Sequence, residues 1–196
     1  MSNDNLCLVF DLETLDTRPT GVILSLGVVM FDITQTNTFE ELVSQGMNIY
    51  LDQQQQKEAG RTVSQDTLNW WDQQGAAAQE CLNNPHQLDC KKLHIYMNAL
   101  YTALNFQPDR KNTRWFSRGA FDANFIEDFC HTFGLTPPYK YWAWRDSRSY
   151  LDGAGIGTRN EKMAKPEGFI QHNSHHDSAF EAMMLQHWYK QLKGTK

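Results

Sequence analysis

Asp11 and Glu13 stand one residue apart at the end of an apolar run, Leu8-Val9-Phe10-Asp11-Leu12-Glu13-Thr14. A short run rich in aliphatic and aromatic side chains reads as a buried strand, and side chains two apart on a strand share a face. Two carboxylates leaving one face of a buried strand are costly to desolvate unless they hold a cation jointly. Strand ends also carry solvated acids, and Asp-x-Glu arises by chance, so the pair gains meaning only if the chain supplies partners. Asp122 follows a strand-like Trp115-Phe116-Ser117 and a glycine turn, at the start of a helix whose N-terminus favours negative charge. Asp177 lies near the start of the last helix, one turn before Phe180, where it borders the core. Each of these two could equally be an ordinary first-turn helix acid.

Four converging carboxylates would raise one another's pKa. Two divalent cations, Mg²⁺ or Mn²⁺, cancel the charge of Asp11, Glu13, Asp122 and Asp177, and all-oxygen ligation suits those hard ions. A metal pair about 4 Å apart clamps the attacking and leaving oxygens of phosphoryl transfer. The chemistry expected is therefore phosphodiester hydrolysis, with a base to take the proton of the attacking water. His172, five residues before Asp177, is the candidate base, because imidazole titrates near neutrality. His175 and His176 are rivals. His172 with His176 also has the i, i+4 spacing of a zinc-binding helix pair, but no Glu stands between them as it would in that type of zinc hydrolase.

The elements that must gather these residues can be read in outline. With 196 residues, 40% hydrophobic and 21% charged, the chain has the size of one domain, residues 1–196, around one sizeable core. Leu8 to Thr14, Val22 to Phe31 (with Gly27 inside it) and Asn48 to Asp52 predict a three-stranded antiparallel meander; Thr38 to Gly46 is ambiguous. Gln53 to Gln56 reads as loop. Ser64 is placed to cap a helix through Trp70 and Trp71 that stops near Gly75. Lys91 to Asn105 and Phe121 to Phe133 have helical apolar spacing, with Trp115 to Ser117 a strand between them. Tyr139 to Trp144 predicts a fifth strand, Asp146 to Leu151 a short helix, Gly153 to Gly168 a loose stretch, and residues 174 to 192 the last helix. The fold class expected is α/β: a mixed five-stranded sheet, meander plus parallel strands, with helices on both faces.

Cys7, Cys81, Cys90 and Cys130 form no Cys-x-x-Cys pair, so neither a zinc knuckle nor a disulfide framework is indicated, and a reducing cytoplasm fits. The N-terminal residues lack the pattern of a signal peptide, and no run reaches the length of a membrane span. A net charge of −5 argues against coating nucleic acid by bulk positive charge. Residues 110 to 165 nevertheless hold ten Lys/Arg against six Asp/Glu, whereas the remainder holds eight against seventeen. One basic segment on an acidic body would allow a phosphate backbone to be gripped locally.

Taken together, Asp11-x-Glu13, Phe121-Asp122 after a strand, and His172-x4-Asp177 resemble the three motifs of the DEDDh 3′–5′ exonucleases, the group of the proofreading subunits and ribonuclease T. Phe39-Glu-Glu-Leu-Val-Ser-Gln-Gly46, Gly60-Arg61, Thr67-Leu-Asn-Trp-Trp71, Arg145-Asp-x-Arg148 and Gly168-Phe-Ile170 extend the likeness to the exonuclease A branch of T-even-type phages, from about residue 6 to residue 188. The resemblance implies a ribonuclease-H-like fold. It also implies that Asp11 bridges two metals, Glu13 and Asp177 complete the water-binding site, Asp122 holds the second metal, and His172 is the general base. A phage protein of this kind would work in the host cytoplasm.

Enzymes of this group hold a terminal nucleotide or two, so stacking should matter more than reading of base edges. Trp70, Trp71 and Phe121 are candidate platforms, Leu12 a candidate wedge, and Arg118, Arg145 and Arg148 candidate phosphate contacts, although Arg148 could instead pair with Asp146. The expected partner is the 3′ end of single-stranded DNA, because the phage branch degrades DNA. Ribonuclease T and mycobacterial relatives of similar length act on RNA, so an exoribonuclease is the second reading. A module that binds nucleic-acid ends without cutting them is the alternative of another class; it predicts a missing site residue, and none is missing. No membrane partner is expected, and the motifs leave the oligomeric state open, a homodimer included.

Overall fold

The computed structural model describes residues 5–105, 113–155 and 163–194. Strand β1 (Leu6–Thr14) pairs antiparallel with β2 (Ile23–Asp32), and β2 pairs antiparallel with β3 (Gly46–Tyr50). On its other edge β1 pairs parallel with β4 (Arg114–Ser117), which pairs parallel with β5 (Trp144–Asp146). The sheet order is therefore β3-β2-β1-β4-β5, the mixed sheet expected.

Strand β1 is central, so both of its faces are apolar. Leu8, Phe10 and Leu12 pack beneath α5 (Leu93–Ala103) and α6 (Phe121–Phe133). Cys7 and Val9 pack on the opposite face, beneath α1 (Phe39–Ser44) and a long C-terminal helix, Ser174–Gly194. Parallel alignment of β1 and β4 sends both chains out at the same edge of the sheet, where crevices form in open α/β folds. Among the described residues, no helix is long and apolar enough to cross a membrane.

Four local expectations are corrected. Gln53–Glu58 is a helix, α2, not a loop: Asp52 accepts a hydrogen bond from the Gln55 N–H. The buried Gln56 amide bonds both the N–H and the carbonyl of Ile23, at 2.8 and 2.7 Å, which ties this helix to the sheet. Helix α3 (Gln65–Trp71) has Ser64 at its N-cap as expected, though without a side-chain cap hydrogen bond, and ends before Gly75, which instead precedes α4 (Ala76–Gln79). The fifth strand starts at Trp144 rather than Tyr139. Its aromatic lead-in is divided: Tyr139 stacks on Phe10 in the core at 5.5 Å, while Tyr141 and Trp142 are exposed. In the stretch expected to be loose, α7 (Ser147–Gly153) extends to Gly153, and residues 156–162 lie outside the described residues. The ambiguous stretch after Thr38 is α1, closed by a Thr38–Glu41 capping box.

The C-terminal helix, hereafter α8, is laid directly on β2 at Gly27. This glycine pairs with Asp11 in register. A Cβ there would stand 2.1 Å from the carbonyl of Ser174. Around it, the hydroxyls of Ser25 and Ser174 lie 2.8 Å apart, Ser174 donates to Asn48 Oδ1 at 2.9 Å, and Ser178 donates to the Gly27 carbonyl at 3.1 Å. Gly27→Ala is expected to lower stability by about 1–3 kcal/mol or more through overpacking and to cut nuclease activity by displacing the helix that carries Asp177. Thermal melting of the variant beside wild type checks this; an unchanged melting temperature would contradict the close approach.

Candidate metal centre and active site

The face of β1 that buries Cys7 and Val9 under α8 becomes acidic two residues further on. Glu13 is buried, Asp11 is half-buried, and Asp177 lies in the first turn of α8 above them. The backbone of His172 and of Asn173 acts on the Asp177 carboxylate in the direction that lowers its pKa. One ligand atom each from Glu13, His172 and Asp177 lies within 4.8 Å of the others, a group that could hold a metal ion. Asp11 and Asp177 together line a cavity of about 210 Å³, into which Glu181, Arg118 and Lys165 also face.

Asp122 arrives from the other side. After β4 the chain turns through Gly119, whose φ of +92° favours glycine, and enters α6 with Asp122 buried. Its Oδ1 accepts a hydrogen bond from the Leu12 N–H at 3.2 Å, between the two acids of β1. The turn is fixed by Asp146, which accepts from the Gly119 N–H at 2.9 Å and from the N–H groups of Arg148 and Ser149. Asp146 thus caps α7, while the charge of Arg148 bears on Asp122. The Arg145 guanidinium donates to the carbonyls of Trp142 and Trp144 in its own turn, at 2.5 and 2.7 Å.

Burial and mutual repulsion dominate the electrostatics. Burial first, then Asp122 and its other acidic neighbours, push Asp11 well above the carboxylate range; burial and Asp177 do the same to Glu13. Burial lifts Asp122 up to about 7 and Asp177 up to about 6. A hard cation bound among them would relieve this repulsion, and oxygen donors suit Mg²⁺ or Mn²⁺; the atoms that come within 4.8 Å of one another are those of Glu13, His172 and Asp177, with Asp11 and Asp122 outside that group. The donor set therefore fits the metal chemistry expected.

The three histidines separate clearly. His172, with φ of +59°, precedes α8 and sets its ring edge-on to Trp70 at 4.8 Å, with Nε2 3.0 Å from the Gln171 amide nitrogen. Burial and Lys165 lower its pKa, which favours the neutral ring. His175 is packed beneath Gly46, and burial takes it down to about 4. His176 accepts the Ile170 N–H on Nδ1 at 3.1 Å and packs edge-on to Phe39 at 5.3 Å. His172 and His176 are thus not a helical zinc pair.

Beside the acids a second cavity of about 530 Å³ is lined by Leu12, Glu13, Thr67, Trp70 and Phe121 among others. Trp70 and Phe121 are 39% and 41% exposed, enough to offer a ring face, and Leu12 forms a buried wall. Trp71, in contrast, is buried and donates its indole N–H to the Thr14 carbonyl at 2.9 Å. It braces the end of β1 and, although it borders the same cavity, exposes only 1% of its surface. Arg118 pairs with Glu181 at 2.8 Å. Sequence reading passed over Glu181, and named Asp146 only as a helix start and a partner for Arg148; the i, i+4 spacing of Asp177 and Glu181 on one helix was the available signal.

Residues 7–189 match the family described as the 3′-5′ exoribonuclease Rv2179c-like domain. The chain belongs to this family. Its enzyme class is that of the DEDDh 3′–5′ exonucleases, and the reading as a non-cutting module is not supported. The exodeoxyribonuclease of Enterobacteria phage T4 is 26% identical over 210 residues, covering 96% of this chain and 91% of the phage protein. In fold, this exonuclease is similar to the zinc-bound form of an E. coli exonuclease I complex with single-stranded DNA (TM-score 0.58, 12% identity, 98% of this chain). It is also similar to E. coli exonuclease I with a dT13 oligonucleotide (TM-score 0.57, 13% identity, 96% of this chain). In both cases it spans only 41% of the length of the exonuclease I chain.

Proposed function

We propose that this exonuclease removes nucleoside 5′-monophosphates from the 3′ end of single-stranded DNA, with a pair of Mg²⁺ or Mn²⁺ ions held by Asp11, Glu13, Asp122 and Asp177. The observation that carries the reading is the approach of Glu13, Asp177 and His172 to within 4.8 Å, beside Asp11 in one cavity wall and Asp122 on the Leu12 N–H. When bound, such ions stabilise the charge that develops on the transferred phosphoryl group and acidify water. The neutral ring of His172 takes the proton of the attacking water. Trp70 and Phe121 stack the terminal base, Leu12 wedges against it, and Arg118 meets a phosphate.

DNA is favoured because the phage relative is named an exodeoxyribonuclease and exonuclease I is seen with single-stranded DNA. The family description, which names an exoribonuclease, favours the second reading. Side-by-side digestion of labelled single-stranded DNA and RNA of one sequence, with Mg²⁺, is expected to consume DNA faster. Faster loss of RNA would reverse the assignment.

A further inference from the structure

Glu181 is 95% buried if its 5% exposure is taken from the whole, yet it belongs to none of the motifs that mark the site. One of its oxygens, Oε2, accepts from Arg118 Nη1 at 2.8 Å. The other, Oε1, is buried and has no hydrogen-bond partner among the described residues. An ionised carboxylate oxygen without a partner is costly to bury, and this one belongs to a side chain lining the same cavity as Asp11 and Asp177. Its charge bears on Asp11, Asp122 and Asp177 together. Glu181, like Asp11 and Asp122, is outside the group whose atoms all lie within 4.8 Å of one another; its Oε2 is committed to Arg118, which leaves Oε1 to act toward the cavity.

We infer that Glu181 is a fifth acidic member of the metal centre: a positioning residue whose Oε1 accepts hydrogen bonds from the hydration shell of a divalent cation held by Asp11, while Oε2 fixes Arg118 at the cavity. This inference rests on the two-cation reading above. Five carboxylates against the Arg118 guanidinium and the Lys165 ammonium, which faces the same cavity while donating to Gln171 Oε1 at 2.9 Å, leave an excess of negative charge that divalent cations would relieve. Groups that orient a metal's immediate ligands commonly set its affinity by about 10- to 100-fold.

The test is calorimetric titration of the full chain with Mn²⁺ alone, paired with melting temperatures in EDTA and in Mn²⁺. Glu181→Gln keeps the shape and an acceptor for Arg118 but removes the charge. It is expected to weaken Mn²⁺ binding by about 10-fold, to melt higher than wild type in EDTA, and to gain less from Mn²⁺. Glu181→Asp retains the charge and is expected to bind Mn²⁺ more tightly than Glu181→Gln. Mn²⁺ affinity of Glu181→Gln within about twofold of wild type, or equal loss of melting temperature with and without metal, would reduce Glu181 to a structural partner of Arg118. Asp11→Asn separates the two levels. If it abolishes Mn²⁺ binding while Glu181→Gln does not alter it, only the role of Glu181 fails; if Asp11→Asn binds Mn²⁺ normally, the metal-centre reading fails with it.

Discussion

Asp11→Asn is expected to reduce nucleotide release by about 10³-fold or more while leaving the fold intact. Metal ions at such sites contribute several kcal/mol of transition-state charge stabilisation, and each 1.4 kcal/mol or so is a factor of ten in rate. Asp11 lies opposite Gly27 on the central strand and lines the cavity shared with Asp177. The same substitution should make the metal-free protein more stable, because it removes one buried charge from a group that repels itself. This effect has a definite pH dependence. Asp122 and Asp177 bind protons more tightly when folded, with values of about 7 and about 6, than in an unfolded chain at about 3.9. Their protonated forms contribute stability that is fully present below about pH 4 and is lost as pH rises through the 6–7 range. In EDTA, the melting temperature of wild type should therefore fall relative to Asp11→Asn across that window, and excess Mn²⁺ should remove the difference. Parallel melting curves for the two proteins in EDTA would show that the acids do not interact as described.

His172→Ala is expected to lower turnover by about 10² or more, with Mn²⁺ affinity nearly unchanged. The ring is held by Trp70 and Gln171 rather than by the helix that carries Asp177. It already lies within 4.8 Å of Glu13 and Asp177, where it is placed to accept a proton, and the four acids are proposed to hold the ions without it. A base must be neutral, so the wild-type rate should rise with pH through a value below the ordinary imidazole pKa, in line with the burial and the nearby Lys165; the variant should lack that limb. His176→Ala is the control. It removes the acceptor of the Ile170 N–H, costs roughly 1 kcal/mol of stability, and should leave the pH profile alone. If Mn²⁺ affinity falls as steeply in His172→Ala as in Asp11→Asn, His172 is a ligand rather than the base.

Much of this arrangement was visible before any coordinates. A continuous aliphatic and aromatic run specified β1, phenylalanines at steps of four specified α6, and the acids stood at the boundaries of those elements. Each signal is local, as hydrophobic periodicity and turn chemistry are. Gln53 to Gln56 misled because a polar tract gives no periodicity, and the hydrogen bonds of Gln56 to Ile23 that hold the helix come from across the chain. Tyr139 to Trp144 misled because aromatic residues suit both a strand and a core-packed turn.

By itself, the sequence singled out four acids and a histidine as candidates for the chemistry, and a mixed sheet to present them. Only the tertiary structure decided which of three histidines faces the acids, which of two adjacent tryptophans offers a ring face, and that Glu181 shares the cavity with Asp11. The physical reason is that a side chain's partners across a fold depend on how the helices seat on the sheet. Here one contact, Ser174 on Gly27, sets where α8 begins and so where Asp177 and Glu181 point.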